Sequence, residues 1–278
     1  MLARDTPREV PNMLPHSLRI QVLGSSSCTP EPGGETACFR VDDSILVDTG
    51  WCVARRLTDL GVDPRSIKAV LLTHCHHDHF MGLVSLLFHI GLHSPQTHRP
   101  RLHVFGPAGE VERVVEDAWR FLQIDRYPHL GFPVETGDLA HGEEFHLEGL
   151  KVTVAGARHN VPGVHLRLEN PAGASVVFSG DTAFSPALVE LARDCDLLVH
   201  EASHGPSSTA GDPQAVHSGA PDAANVALQA GARRLALVHL NEASHAAATE
   251  AARAIFDEVF VPRAGDVIEF RCPRAGRR

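Results

Sequence analysis

The chain has 278 residues, 43% of them hydrophobic, with a formal net charge of -9. That length can bury a sizeable core as one α/β domain, and the acidic balance excludes a broad electrostatic footprint for nucleic acid, which relies on clustered Lys and Arg. No apolar run approaches the roughly 20 residues of a bilayer span, and Arg4, Asp5, Arg8 and Glu9 interrupt any leader-like apolar core, so a cytoplasmic protein without a membrane segment is expected.

Residues 1–17, with Pro7, Pro11 and Pro15, read as an extended lead-in to a domain spanning 18–272, and residues 273–278 as a basic tail. Alternation predicts a strand over 18–24, a Gly/Pro/Ser-rich loop to Gly34, and two short strands at 38–41 and 44–48 around the Asp42-Asp43 turn. A helix over 51–60 closed by Gly61, an apolar strand over 67–73, and a helix over 82–92 follow. The stretch 102–105 reads as a strand, 106–109 as a turn, and 110–122 as an amphipathic helix. Further strands are expected at 143–147, 151–157, 164–169 and 175–179, then a helix over 186–193 and a strand over 196–201. After a polar loop from Gly205 to Gly219, helices over 220–230 and 246–259 flank a strand over 233–239. Two runs of strands with helices between them fit two sheets with helices packed outside.

Six cysteines, Cys28, Cys38, Cys52, Cys75, Cys195 and Cys272, are scattered without a CxxC pair, so most are expected to be reduced and structural. Histidine is the unusual residue: there are 19, and neutral imidazole is both a zinc ligand and a proton carrier near neutral pH. His74, His76, Asp78 and His79 fall within six positions just after the apolar strand 67–73, where a chain leaving a sheet can turn several side chains into one space. A polar loop of solvated histidines is the bland alternative. HxHxDH in this setting points instead to an open metal site of imidazole and carboxylate ligands.

With these residues the sequence resembles the metallo-β-lactamase superfamily over nearly the whole chain, and the resemblance implies a four-layer αββα sandwich. The stretch Ile45-Leu46-Val47-Asp48-Thr49-Gly50 is similar to the strand and turn that precede the family's metal motif, with Asp48 orienting ligands. His159, Asp181 and His239, each at an expected strand end, match the later ligands in order. The resemblance implies one metal held by His74, His76 and His159, a second held by Asp78, His79 and His239, and Asp181 bridging. Zinc suits such ligands best, and manganese or iron(II) would also be accepted.

Val199-His200-Glu201-Ala202-Ser203, with His217-Ser218-Gly219 beginning 16 positions after Glu201, looks like the paired acid and histidine motifs of ribonuclease Z and related phosphodiesterases. The resemblance implies phosphate ester hydrolysis by a metal-bridging hydroxide, with Asp78, Glu201 and His217 at the catalytic centre. His217 would be the general acid and Glu201 the group that orients it. Ribonuclease Z carries an RNA-gripping arm between the third histidine ligand and the bridging aspartate, yet only 22 positions separate His159 from Asp181. A small or cyclic phosphodiester is therefore the expected substrate: a small anion, with no extended nucleic-acid surface and a homodimer left open. The alternatives are a lactone, thioester or β-lactam hydrolase, a ribonuclease Z-type nuclease, and a nonenzymatic metal-binding module. Against a lactonase, the only tyrosine, Tyr127, stands in a Pro-flanked segment. The segments 83–100 and 205–219 are candidates for pocket walls.

Overall fold

In the computed structural model, which describes residues 17–271 other than residue 33, the chain opens with β1 (Ser17–Gly24), β2 (Cys38–Val41) and β3 (Ile45–Val47). It continues through α1 (Val53–Asp59), β4 (Ala69–Leu71), a single-turn α2 (His77–Phe80), α3 (Gly82–His93), β5 (Leu102–Pro107), α4 (Val111–Phe121) and β6 (Val134–Leu139). The second half holds β7 (Glu144–Leu147), β8 (Leu150–Gly156), β9 (Val164–Glu169), β10 (Ser175–Phe178), α5 (Pro186–Leu191), β11 (Leu197–Glu201) and α6 (Ala220–Ala230). It ends with β12 (Leu235–Val238), α7 (His245–Arg253), β13 (Val259–Phe260) and β14 (Val267–Arg271). The lead-in expected at 1–17 lies, apart from Ser17, outside the described residues, as do Cys272 and the tail at 273–278.

The strands form two mixed sheets in the orders β14-β1-β2-β3-β4-β5-β6 and β13-β12-β11-β10-β9-β8-β7. Strand periodicity explains the layers. On β4, Ala69 and Leu71 enter the core between the sheets while Val70 packs outward, so a strand buried on both faces reads as an unbroken apolar run. On β11, Leu197 and Val199 point inward and Leu198 outward. Outside the first sheet, Val53, Leu57, Leu83, Leu86 and Val114 from α1, α3 and α4 cover it. The alanine-rich faces of α6 and α7 and Leu188 of α5 cover the second. The result is a four-layer αββα sandwich. Among the described residues, no helix is long and apolar enough to cross a membrane.

Three local readings are corrected. The last helix stops at Arg253 and not at 259, because Val259 pairs in parallel with Leu235 and turns that segment into β13. The segments of β6 and β14 are strands with no expectation behind them: β6 is an edge strand with Glu135, Thr136 and Asp138, and β14 closes the sheet antiparallel to β1. The ligand loop after β4 also contains a helical turn, α2.

Gly82 starts α3 where a Cβ would stand 2.2 Å from the Thr49 carbonyl oxygen, so a side chain there would push α3 off the turn after β3. The loops after β4, β8, β10, β11 and β12 meet at one rim of the sandwich. An isolated bridge between His74 and Gly163 joins the loops after β4 and β8, and one between Ser26 and Leu240 ties the loop after β12 to the loop after β1.

Candidate metal centre

Each candidate side chain leaves a strand end on a backbone held by its neighbours. Asp48 and His239 adopt left-handed conformations, φ 56° and 59°, which cost non-glycine residues about 1–3 kcal/mol each and persist only where surroundings enforce them. The Asp48 amide donates to the Leu71 carbonyl at 2.9 Å, and the His239 amide to the Ser25 carbonyl at 2.8 Å. Gly180, φ 57°, turns the chain into Asp181 where a Cβ would meet that of Thr73 at 2.8 Å. The Thr36 hydroxyl donates to the Asp78 carbonyl at 2.8 Å and anchors α2.

The fold brings all seven candidate ligands together. His76 Nδ1 lies 3.2 Å from His74 Nε2 and 3.1 Å from His159 Nε2, and Asp181 Oδ2 lies 3.6 Å from His74 Nε2. On the other side, Asp78 Oδ2 lies 3.1 Å from His239 Nε2 and 3.3 Å from His79 Nε2. Asp181 stands between the two groups: its Oδ1 is 3.6 Å from His79 Nε2 and its Oδ2 is 3.6 Å from His239 Nε2. Nitrogens bound tetrahedrally to zinc at about 2.0–2.1 Å stand about 3.3 Å apart, so these separations are those of ligands around a cation. His79 Nε2 is buried and makes no hydrogen bond. The residues fit divalent metals in two adjoining subsites, His74, His76, His159 and Asp181 in one, Asp78, His79 and His239 in the other.

Electrostatics divides the two groups. Burial, reinforced by neighbouring imidazoles, pushes His74 well below the ordinary histidine pKa, and burial lowers His76 and His159 as well, leaving neutral ligands. Burial alone would also lower His79 and His239, but carboxylates outweigh it: Asp48 and Asp181 raise His79, and Asp181 and Asp78 raise His239. Burial opposes ionisation of Asp78, yet its hydrogen bond with His239 and the neighbouring His79 imidazole hold its carboxyl well below the usual range.

The outward ring nitrogens are also engaged, an arrangement that fixes tautomer and ring orientation at metal sites. His79 Nδ1 lies 2.8 Å from Asp48 Oδ2, His159 Nδ1 2.8 Å from the Val216 carbonyl, His74 Nδ1 3.2 Å from Thr73 Oγ1, and His239 Nδ1 2.8 Å from Ser203 Oγ. Sequence reasoning gave Thr73, Val216 and Ser203 no role of their own, because each acts through a hydroxyl or carbonyl that only the tertiary fold aims.

Beside the candidate ligands, His217 Nδ1 lies 3.1 Å from Glu201 Oε1 and 3.7 Å from Asp181 Oδ2. Asp181, Glu201 and His217 are close enough to form a third metal-capable cluster. Glu201 is committed elsewhere, however. Its oxygens accept from the amides of Thr182, Ser203 and Ser218, the Ser203 hydroxyl and His217. Burial lowers His217, but Glu201 more than compensates and raises its pKa. His77 is exposed and turns toward Phe80, and His200 is buried against the Glu201 carbonyl. Of the two candidate pocket walls, 205–219 carries His217 and Val216, whereas Leu83, Leu86, Leu87 and Ile90 of the other belong to the core.

A model of the β-lactamase superfamily domain matches residues 43–240, a span that holds all seven candidate ligands together with Asp48, Glu201 and His217. The chain belongs to the metallo-β-lactamase superfamily. As a member of that superfamily it is a metal-dependent hydrolase. It is 31% identical to a ribonuclease Z of Mycobacterium bovis, over 80% of this chain and 85% of that protein. It is 28% identical to a ribonuclease Z of Myxococcus xanthus, over 81% and 87% respectively. The metallo-β-lactamase fold protein YhfI of Bacillus subtilis superposes with a TM-score of 0.74 at 22% identity, over 91% of this chain and 99% of that one.

Proposed function

We propose that this metallo-β-lactamase superfamily member is a dinuclear phosphodiesterase that hydrolyses a small or cyclic phosphodiester. The observation that carries the reading is the His217–Glu201 pair: a half-buried imidazole, raised in pKa and outside both ligand sets, stands 3.7 Å from the carboxylate between them. Two divalent cations, zinc best suiting the donors, would supply Lewis-acid stabilisation of phosphate charge and a more acidic water. His74, His76, His159 and Asp181 would hold one cation, and Asp78, His79, His239 and Asp181 the other.

The protein's own part is proton delivery. With its Nδ1 committed to Glu201, His217 presents Nε2 to the leaving oxygen and donates a proton as the P–O bond breaks. Glu201 keeps that ring oriented and protonated. Asp78 serves as a ligand and needs no separate proton-transfer role.

Substrate size follows from the scaffold. Between His159 and Asp181 the chain makes only β9, β10 and a tight turn in which the Asn170 side chain accepts from the amides of Ala172 and Ala174. That leaves no RNA-gripping arm. Arg158, beside His159 in the sequence, donates to the Pro213 carbonyl and lines a cavity of about 280 Å³ with Phe184, Thr209 and Asn225. The names of the relatives favour RNA 3′-processing as the second reading. The lactonase alternative lacks a phenol at the centre, since Tyr127 sits instead against Arg126 and His129. The five described cysteines are free thiols, which suits a cytoplasmic setting.

A panel of bis-p-nitrophenyl phosphate, cyclic nucleotides and a lactone, presented to zinc- or manganese-loaded protein, tests the reading. Diester cleavage supports it; lactone cleavage without diester cleavage refutes it.

A further inference from the structure

We infer that Ser203 is a positioning residue whose hydroxyl selects the metal-binding tautomer of His239 and so sets the affinity of the second metal subsite. The inference rests on the two-metal reading above.

The argument is a count of protons. Ser203 Oγ has one proton and three neighbours, Glu201 Oε2 at 2.8 Å, His239 Nδ1 at 2.8 Å and His217 Nδ1 at 3.4 Å, and the last directs its own hydrogen to Glu201 Oε1 at 3.1 Å and takes none from Ser203. Glu201 is surrounded by donors and can only accept. The serine proton therefore points to Glu201, and Oγ offers His239 a lone pair. Nδ1 of His239 must then carry hydrogen. A neutral imidazole has one N–H, so Nε2 is left with a lone pair. That lone pair is directed between Asp78 Oδ2 at 3.1 Å and Asp181 Oδ2 at 3.6 Å, where a positive charge must sit, a proton in the metal-free protein and a cation when the subsite is filled. The opposite tautomer would leave Ser203 Oγ facing Glu201 Oε2 with no proton between them and would place Nε2–H against Asp78, blocking ligation.

The same carboxylate holds His217 through Oε1, so Glu201 joins the second subsite to the proposed general acid through Ser203. In the first subsite the outer nitrogens of His74 and His159 engage Thr73 and the Val216 carbonyl and not Ser203, so the two subsites are joined through Asp181 alone among their proposed ligands.

Cobalt(II) titration of the metal-free full-length protein, read by calorimetry and absorption, tests the inference without substrate. Wild type takes up two ions. Ser203→Ala binds the first as tightly as wild type and the second about 10–100-fold more weakly, the usual loss when an outer partner of a ligand is removed. Ser203→Thr, which keeps the hydroxyl, restores the second. Equal affinity for both ions in Ser203→Ala overturns the inference, as does a Ser203→Thr protein that melts like wild type yet binds as poorly as the alanine variant. If Ser203→Ala is less stable, unchanged first-ion affinity shows that it is folded, and loss of both ions overturns the inference. A wild type that takes only one cobalt removes this inference and the two-metal reading together. Two ions with the alanine–threonine split but no diester cleavage leave the inference standing and remove the phosphodiesterase reading.

Discussion

Asp48 Oδ2 lies 2.8 Å from His79 Nδ1, while the same carboxylate accepts the Thr73 amide and hydroxyl. One buried side chain thus ties the end of β4 to a proposed ligand on α2. Asp48→Ala frees the His79 ring and leaves the Thr73 amide unpaired, and the second ion is expected to bind about 10–100-fold more weakly. Competition with a chromophoric chelator measures it; wild-type affinity for both ions would show that Asp48 does not orient His79.

His217→Ala is expected to retain both metals and lose about 10²–10⁴-fold in turnover on a diester with a poor leaving group, the usual worth of general-acid assistance. On a nitrophenyl ester the loss shrinks, because that oxygen leaves without a proton. Equal losses on both substrates would remove the general-acid role. Asp181→Ala, by contrast, loses metal and activity together.

The pH profile should report the His217–Glu201 pair. Glu201 raises the His217 pKa, so the acid form persists above the ordinary histidine range and turnover of poor leaving groups falls as pH rises through that raised value. Glu201→Gln removes the charge and moves the alkaline limb to lower pH. A limb that stays in place assigns it to another group.

Acid stability should report His165. Fully buried on β9 and donating Nδ1 to the Ser179 carbonyl at 2.6 Å, it has a pKa pushed down by burial to about 4. Its unfolded value is about 6.5, so as pH falls the unfolded chain takes the proton first. The contribution is complete above the unfolded value and is lost between about 6.5 and 4, about 3 kcal/mol over the window. His165→Gln should flatten the wild-type urea midpoint profile across that range; an unchanged slope contradicts the assignment.

The order of elements was legible because strands buried on both faces, such as β4 and β12, leave unbroken apolar runs. His74, His76, Asp78 and His79 were legible because four ligand-type side chains follow such a run within six positions, whereas His159, Asp181 and His239 were legible only through the family resemblance, His159 following the alternating strand β8. The strand β6 was not, since an edge strand with three polar residues in six lacks an apolar pattern. The end of α7 was missed because pairing with β12, a tertiary contact, overrides helix propensity after Arg253. Ser203 and Thr73 were invisible for the same reason, a serine after Glu-Ala being unremarkable until His239 arrives from 36 positions away.

The central claim, a small phosphodiester in place of a pre-tRNA, rests on the -9 net charge and the tight β9–β10 turn. An acidic body repels phosphates outside the site, so affinity must come from the metals and a few loop contacts. The direct test compares kcat/KM of the metal-loaded protein on cyclic and dinucleoside phosphodiesters with that on a pre-tRNA bearing a 3′ trailer, at physiological salt. Higher efficiency on the small diesters is the predicted result, and accurate trailer removal at higher efficiency than diester cleavage would contradict it.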